Sequence, residues 1–490
     1  MRNIGLCFVV FVGLVLSACT KPNPLACCVT DEQCAVIGAE ELRPCGVGQA
    51  CNPPTATCVA KQCDTSADCT SPDAPVCSLG LCISGCQVDG DCADVAGKPF
   101  CAADNICVGC ETNTQCPVEA SQCDVETRSC RGCRIESECA SGVCIEADGL
   151  CADDASVVHV SSIGSDTGTC TAAVPCASLG YALQQVSGTR SVIHLVGDTT
   201  TDVSTITLTK PVVLDGTGTR FPKPSSGPTF AIPAGVSFEV TMEGVVFPAS
   251  GSATVVTVGT SKTLRLFDVV IQNSTIQTTG GTIDSRGSTL TSTTLDCTTG
   301  TLAASENRLD NTLIRSSNCQ STVSRNLFAN CTATAINVDG GLLSITNNVF
   351  TLSDQFVDLI ITGGHAPGSV VAFNTIVNSS TVTGAPIAIS CDATVRVTSN
   401  ILAYNSTNPI SNNTGCIAHF SLFDVPGAPD ATSGNASADV TSFFTNLTAA
   451  DFHLSTASPA RDTAEPGLVP VDFDGIKRGT PPDIGAFEAP

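Results

Sequence analysis

Four asparagines constrain the architecture of this 490-residue chain more tightly than any other feature. Asn326, Asn348, Asn374 and Asn400 share one phrase, in which an apolar residue precedes the Asn by three and another follows it by two. The copies are Val323-x-x-Asn326-x-Phe328, Ile345-x-x-Asn348-x-Phe350, Val371-x-x-Asn374-x-Ile376 and Val397-x-x-Asn400-x-Leu402, at intervals of 22, 26 and 26 residues. Short alternating runs such as Thr205-Ile206-Thr207-Leu208 and Val395-Arg396-Val397, bounded by Gly, Asn and Asp, read as strands. A unit of this length cannot bury its inner face alone, whereas stacked units share one continuous core. The Leu-rich consensus of a leucine-rich repeat is missing, and a β-sandwich with coincidental asparagines is the alternative. A parallel β-helix, with turns about 4.8 Å apart, fits best. Like side chains then stand in a structural ladder, and Asn suits such a position because it tolerates left-handed backbone and its amide bonds to neighbours above and below. Looser copies centre on Asp215, Glu243, Asp268 and Thr293. Asn307, only 14 residues after Thr293, leaves the register from 293 to 326 open.

A second repeat precedes the first. Between Cys27 and Cys151 stand 22 cysteines in 125 residues. The spacing C-x5-C recurs at Cys28/Cys34, Cys63/Cys69, Cys86/Cys92, Cys110/Cys116 and Cys133/Cys139, and each unit adds two more cysteines. Cys27 and Cys58 are left over. Units so short and so poor in large aliphatics need cross-links in place of a core. Four cysteines allow three pairings, and spacing does not choose among them. Cys107-x2-Cys110 and Cys130-x2-Cys133 have zinc-ribbon spacing, but each straddles a junction between units, so the repeat explains it without a metal. Asp68, Asp91 and Glu138, just before the second Cys of their units, read as solvated surface, with calcium contact as the competing use.

Composition narrows the function. Asp+Glu 46 against Lys+Arg 22 gives a net charge of −24, which repels phosphates and excludes nucleic acid as a partner. With Trp 0 and Tyr 2, aromatic platforms for stacking bases or sugars are nearly absent. Arg2 and the apolar run from Ile4 to Leu16 have the form of an export signal rather than a membrane span. Export in turn supplies the oxidising surroundings that the cysteines require.

Three resemblances add to this. Leu16-Ser17-Ala18-Cys19 resembles a bacterial lipobox, which implies cleavage after Ala18 and lipid attachment at Cys19. Thr20, in place of the Asp that retains lipoproteins at the inner membrane, favours the outer membrane. Several acyl chains on one residue give durable anchoring. The cysteine block resembles the short cysteine-rich repeats of secreted myxobacterial proteins. The stretch from Val158 to Gly168 (VHVSSIGSDTG), followed by Pro175 and a helix-patterned segment over 177–186, resembles the entry to right-handed parallel β-helix proteins of the pectin-lyase-like class. Asp451-Phe452-His453-Leu454, Ser458-Pro459-Ala460-Arg461-Asp462, Asp472-Phe473-Asp474-Gly475 and Asp483-Ile484-Gly485-Ala486-Phe487-Glu488 resemble the C-terminal signature of choice-of-anchor surface proteins. The expected class is all-β: a right-handed parallel β-helix preceded by a small disulfide-rich region. Its parts are a signal peptide (1–18), a tether (19–26), disulfide repeats (27–155), the β-helix (156–425) and a C-terminal cap and signature region (426–490).

The chemistry expected of such a chain is sparse. Pectin-lyase-like lyases use an Arg or Lys base with calcium held by acidic residues, and hydrolases of the fold use clustered Asp pairs and a Gly-His-Gly. Here Gly363-Gly364-His365 is followed by Ala366. A calcium site would have to use Asp215, Glu243 and Asp268 on successive turns, with Arg265 or Lys210 as base. No lyase motif accompanies them, so they are expected to be solvated residues in the turn column that Asn fills later, with no cofactor. His159, His194, His419 and His453 lack ligand spacing. Cys170 with Cys176, and Cys391 with Cys416, are the expected disulfides of the β-helix. Cys297, Cys319 and Cys331 are an odd number, so at least one is a free, buried thiol. The function expected is a non-catalytic, lipid-anchored surface module for binding, adhesion or envelope structure, facing a polysaccharide or a surface protein. The alternative is a polysaccharide lyase or glycoside hydrolase acting on acidic polysaccharide.

Overall fold

The computed structural model describes residue 45, residues 49–52 and most of 57–489, leaving out 71–73, 75, 79, 84, 87, 199–203, 223, 225–226, 250, 252, 333, 354–356, 379–386, 392–394, 404–409, 412–415, 417 and 425–433. Cys19, the leader, the tether, Cys27, Cys28 and Cys34 lie outside the described residues. So does the side chain of Cys391, while Cys416 is disulfide-bonded. None of the described helices is long and apolar enough to cross a membrane. Two compact units meet at the bond between Gly132 and Cys133.

In the first unit the three cysteine repeats from Cys63 to Cys130 are each a 3-10 turn followed by a tight antiparallel hairpin. Val76–Ser78 pairs with Leu81–Ile83, Phe100–Cys101 with Cys107–Val108, and Gln122–Asp124 with Ser129–Arg131. The third and fourth cysteines face each other across each hairpin. They are therefore bonded not to each other but back to the turn, first to third and second to fourth. Cys63–Cys77 and Cys69–Cys82, Cys86–Cys101 and Cys92–Cys107, and Cys110–Cys123 and Cys116–Cys130 all follow this scheme. Closing a loop of about 15 residues is worth roughly 3 kcal/mol in the entropic model, which replaces the core these units lack. Cys58 is no leftover. It faces Cys51 across a hairpin and is bonded to Cys45, so it is the fourth cysteine of the first repeat.

The acidic residues before the second cysteine are caps. Asp68 Oδ2 accepts the amides of Asp64 and Thr65 at 2.8 and 2.9 Å, and Asp91 and Glu138 accept those of Val88 and Arg134. Gln115, which is uncharged, does the same for Glu111 and Thr112. The task is to satisfy backbone amides, and it needs no negative charge.

The second unit contains the fifth repeat (Cys133–Cys144, Cys139–Cys151) and a parallel β-solenoid. A representative turn runs Ser274–Thr279, Thr282–Arg286 and Thr289–Thr291 before Thr294 returns beside Thr275 on the next storey. All pairing between turns is parallel, in one 20-stranded and one 10-stranded sheet. Alternation along each strand sends one file inward on every face. Ile276, Leu295, Ile314, Ile336, Leu359 and Ile389 stand in register and are fully buried, as are Ile271, Leu290, Leu309, Phe328, Phe350, Ile376, Leu402 and Phe423. Each such side chain contributes about 1.5–3 kcal/mol by leaving water. The helix Leu179–Gln185, capped by Ser178 Oγ on the Tyr181 amide, packs Leu179 and Ala182 into the first turn beside the Cys170–Cys176 disulfide.

The marker asparagines are buried and form a continuous ladder. Nδ2 of Asn307, Asn326, Asn348 and Asn374 donates to Oδ1 of the next Asn at 2.9–3.0 Å, and the backbone N–H of each donates to that same oxygen. The second Nδ2 hydrogen reaches a carbonyl one turn behind, for example Ala304 O from Asn326 and Ile345 O from Asn374. Asn307 therefore belongs to the file, and the open register closes with turns of 19 residues: Thr282 over Thr301 over Gln320. Thr293 does not belong. It lines a different corner, where it and Thr312 bond the carbonyls of Ile271 and Leu290. Left-handed backbone falls not on the ladder asparagines but on the residue before each one: Glu306, Arg325, Asn347, Phe373 and Ser399.

The C-terminal signature packs along the flank of the last turns. Phe443, Phe452, Ile484 and Phe487 join Phe373, Ile401 and Leu422 in a second apolar cluster. Arg478 anchors it. The guanidinium lies 4.2 Å over the Phe373 ring, pairs with Glu488 and donates to Asn347 Oδ1 at 2.8 Å.

Two outcomes are expected. Asn374→Ala strands the buried amide groups of Asn348 and should lower stability by about 2–4 kcal/mol in urea denaturation, whereas Asn330→Ala on the exposed corner should cost no more than about 1 kcal/mol. Cys297 and Cys319 are bonded and Cys331 is a free, buried thiol, pushed up to about 12 by burial and by the charges of Asp358 and Asp310. Mass spectrometry after iodoacetamide treatment at about pH 8.5 should find Cys331 unmodified in the native protein and alkylated after denaturation.

Candidate functional site

The sheet registers set one column of titratable side chains on four successive turns. His159 pairs with His194, His194 with Asp215, and Asp215 with Glu243. The next position is Phe267. Asp268 lies one residue beyond it, in a left-handed corner, so it does not continue the column. The column is also not the one that Asn fills later. Glu243 aligns through Phe267, Arg286 and Ser305 with Ser324, two residues before Asn326.

These carboxylates are buried. Asp215 is 6% exposed and Glu243 2%, contrary to the solvated surface expected of them. The reason lies in the fifth disulfide repeat, which packs over this face within the same unit. The Ala147 amide donates to Glu243 Oε2 at 3.1 Å, and Thr217 bonds Glu136. Arg265 donates to Asp148 Oδ1 at 2.9 Å, to Glu239 Oε1 at 3.2 Å and to the Ala147 carbonyl at 3.2 Å. Lys210, the other candidate base, gives its ammonium to the Val186 carbonyl at 2.7 Å. Each candidate base is thus engaged by a neighbouring acceptor.

The electrostatics follow from burial. His194 Nδ1 stands 2.7 Å from Asp215 Oδ2. Burial opposes the charged imidazole of His194, but the Asp215 hydrogen bond and charge outweigh it and raise its pKa. Burial lowers that of His159, whose ring meets His194 edge to face at 5.6 Å. Burial also pushes the Glu243 carboxyl up to about 8, and the charges of Asp215, Glu146 and Asp148 add to the effect. Glu243 Oε1 is buried with no hydrogen-bond partner. One ligand atom each from Glu136, His194 and Asp215 lie within 4.8 Å of one another.

The register sets Asp215 and Glu243 on adjacent turns and leaves Asp268 off the column, whereas sequence spacing did not place His194, Glu136, Glu146 and Asp148 beside them. Their signal was faint but present. Val158-His159-Val160 and Ile193-His194-Leu195 are two copies of one apolar-His-apolar phrase, which in a stacked fold places the rings on one file. A cleft of about 280 Å³ beside this column, lined in part by Asp154, His159 and Arg190, presents no free cation, because Arg190 is bonded to the carbonyls of Val157, Thr169 and Cys170. His365, of the Gly-Gly-His segment, has both ring nitrogens buried without partners.

No protein-family model matches the chain, and no curated protein matches it. Among solved structures it is similar to a crystal structure of pectate lyase Pel9A, with 15% identity and a TM-score of 0.30 over 68% of this chain and 96% of that one. That likeness concerns the path of the backbone and carries no argument about chemistry.

The contacts of Arg265 make a test of the docked repeat. Arg265→Ala should accelerate hydrogen exchange at Ala147 and Asp148 by several-fold and cost about 1 kcal/mol, while the amides of the Asn ladder keep their protection.

Proposed function

We propose that this protein is a lipid-anchored, non-catalytic module of the bacterial cell surface, in which disulfide repeats carry a β-helix that binds an envelope polymer or surface protein. The observation behind this is the engagement of both candidate bases. Arg265 lies under the fifth disulfide repeat between Asp148 and Glu239, and Lys210 is held by a backbone carbonyl. A lyase needs such a group free and facing an open groove beside its acidic residues. Here Asp215 and Glu243 are covered instead, and Asp268 alone of the three is exposed. The outer faces of the solenoid carry cross-turn ion pairs such as Arg315 with Asp296, and Glu306 between Arg286 and Arg325, a pattern suited to contact along a repeating polymer.

Purified protein incubated with polygalacturonate and other acidic polysaccharides, with and without calcium, should produce neither unsaturated-uronate absorbance nor new reducing ends. Retardation of the protein in polysaccharide-containing native gels is the expected positive result. Turnover that disappears in Arg265→Ala would replace this proposal with the lyase alternative.

A further inference from the structure

The column beneath the fifth disulfide repeat gathers carboxyl groups from two segments against the same face of the sheet. Glu136, Glu146 and Asp148 come from the repeat, and Asp215 and Glu243 from the sheet. The cations available are His194 and Arg265, and Arg265 already faces Asp148 and Glu239. Glu146 feels Asp268, Asp215 and Glu136 as like charges. Glu243, the register neighbour of Asp215, adds a buried carboxylate oxygen with no donor. A buried carboxylate oxygen without a donor is unfavourable unless a proton or a cation meets it.

We propose that Glu136, His194 and Asp215 bind a divalent transition-metal ion of the zinc class, with Glu243 as the adjoining carboxylate, and that this ion clasps the fifth disulfide repeat to the first turns of the β-helix. The donors converge from two segments far apart in sequence, with their ligand atoms within 4.8 Å of one another. One imidazole with carboxylates is a zinc-type set, whereas calcium takes six to eight oxygens and magnesium keeps its waters. The nearby cysteines take no part, since Cys133, Cys139, Cys144 and Cys151 are disulfide-bonded. The clasp is independent of whether the surface acts on a polysaccharide.

The test uses the full chain under non-reducing conditions, stripped with chelator and titrated calorimetrically with zinc, calcium or magnesium alone. One zinc per chain with micromolar or tighter affinity is expected, together with slowed hydrogen exchange over residues 133–151. Glu136→Gln and His194→Ala should each weaken zinc binding about 100-fold, and His453→Ala, at the other His–carboxylate cluster, should leave it unchanged. Glu136→Gln lies on the covering loop and keeps the solenoid core intact, so its loss of binding reports the ligand rather than the fold. No zinc binding below about 1 mM, equal binding in Glu136→Gln and the parent, or tighter binding of calcium than of zinc would each overturn the assignment.

Discussion

A chain wound into parallel turns must satisfy each corner amide with whatever lies one storey away, because water is excluded there and the chain's own neighbours point along the strand. The buried asparagines answer that constraint. One side-chain oxygen takes two donors from the preceding turn, the backbone N–H and Nδ2, and the other Nδ2 hydrogen returns to a carbonyl further back. The amide-to-amide bonds require the neighbouring turn to carry an acceptor side chain at the same height. Registration of the apolar files follows from this. Past Asn400 the file passes through Ser421, whose Oγ takes the Asn400 amide, to Asn435, whose Oδ1 takes the Ser421 amide, and at the other end Ser288 takes the amide of Val269.

That arrangement also explains why turn length can vary without loss of order. Turns span 28 residues from Val212 to Val240, 19 from Thr282 to Thr301 and 26 from Val370 to Arg396, while the inward files stay in step. The spare residues are absorbed away from the ladder corner. The first turns lack the asparagines altogether and carry a charged column instead, and there the fifth disulfide repeat closes over the sheet. Burial of Asp215 and Glu243 is thus a product of two segments meeting, one held by cystines and one by parallel pairing.

Much of this was legible in the residues. The Asn phrase announced stacking, and the two C-x5-C positions with two further cysteines announced self-contained loops. The pairing of first with third and second with fourth was not legible, because it depends on the hairpin that sets the last two cysteines face to face. The offset of Asp268 from the column was hidden for a related reason. Turns of unequal length make sequence intervals poor rulers, and a one-residue slip at a corner changes the face. Glu136 and Asp148 could not be placed at all from spacing, since nothing in a linear sequence says that a disulfide loop folds back onto the sheet. Cys331 shows the reverse case, in which counting alone required a leftover thiol and the bond between Cys297 and Cys319 decided which one it is.

Among the described residues every cystine of the repeats closes within its own unit. Deletion or duplication of one 23- or 24-residue unit would therefore leave no orphaned sulfur. The cysteine-rich segment before the β-helix can therefore lengthen or shorten by whole units during evolution. The fifth repeat, with Glu136 bonded to Thr217 and Asp148 to Arg265, is committed to its place.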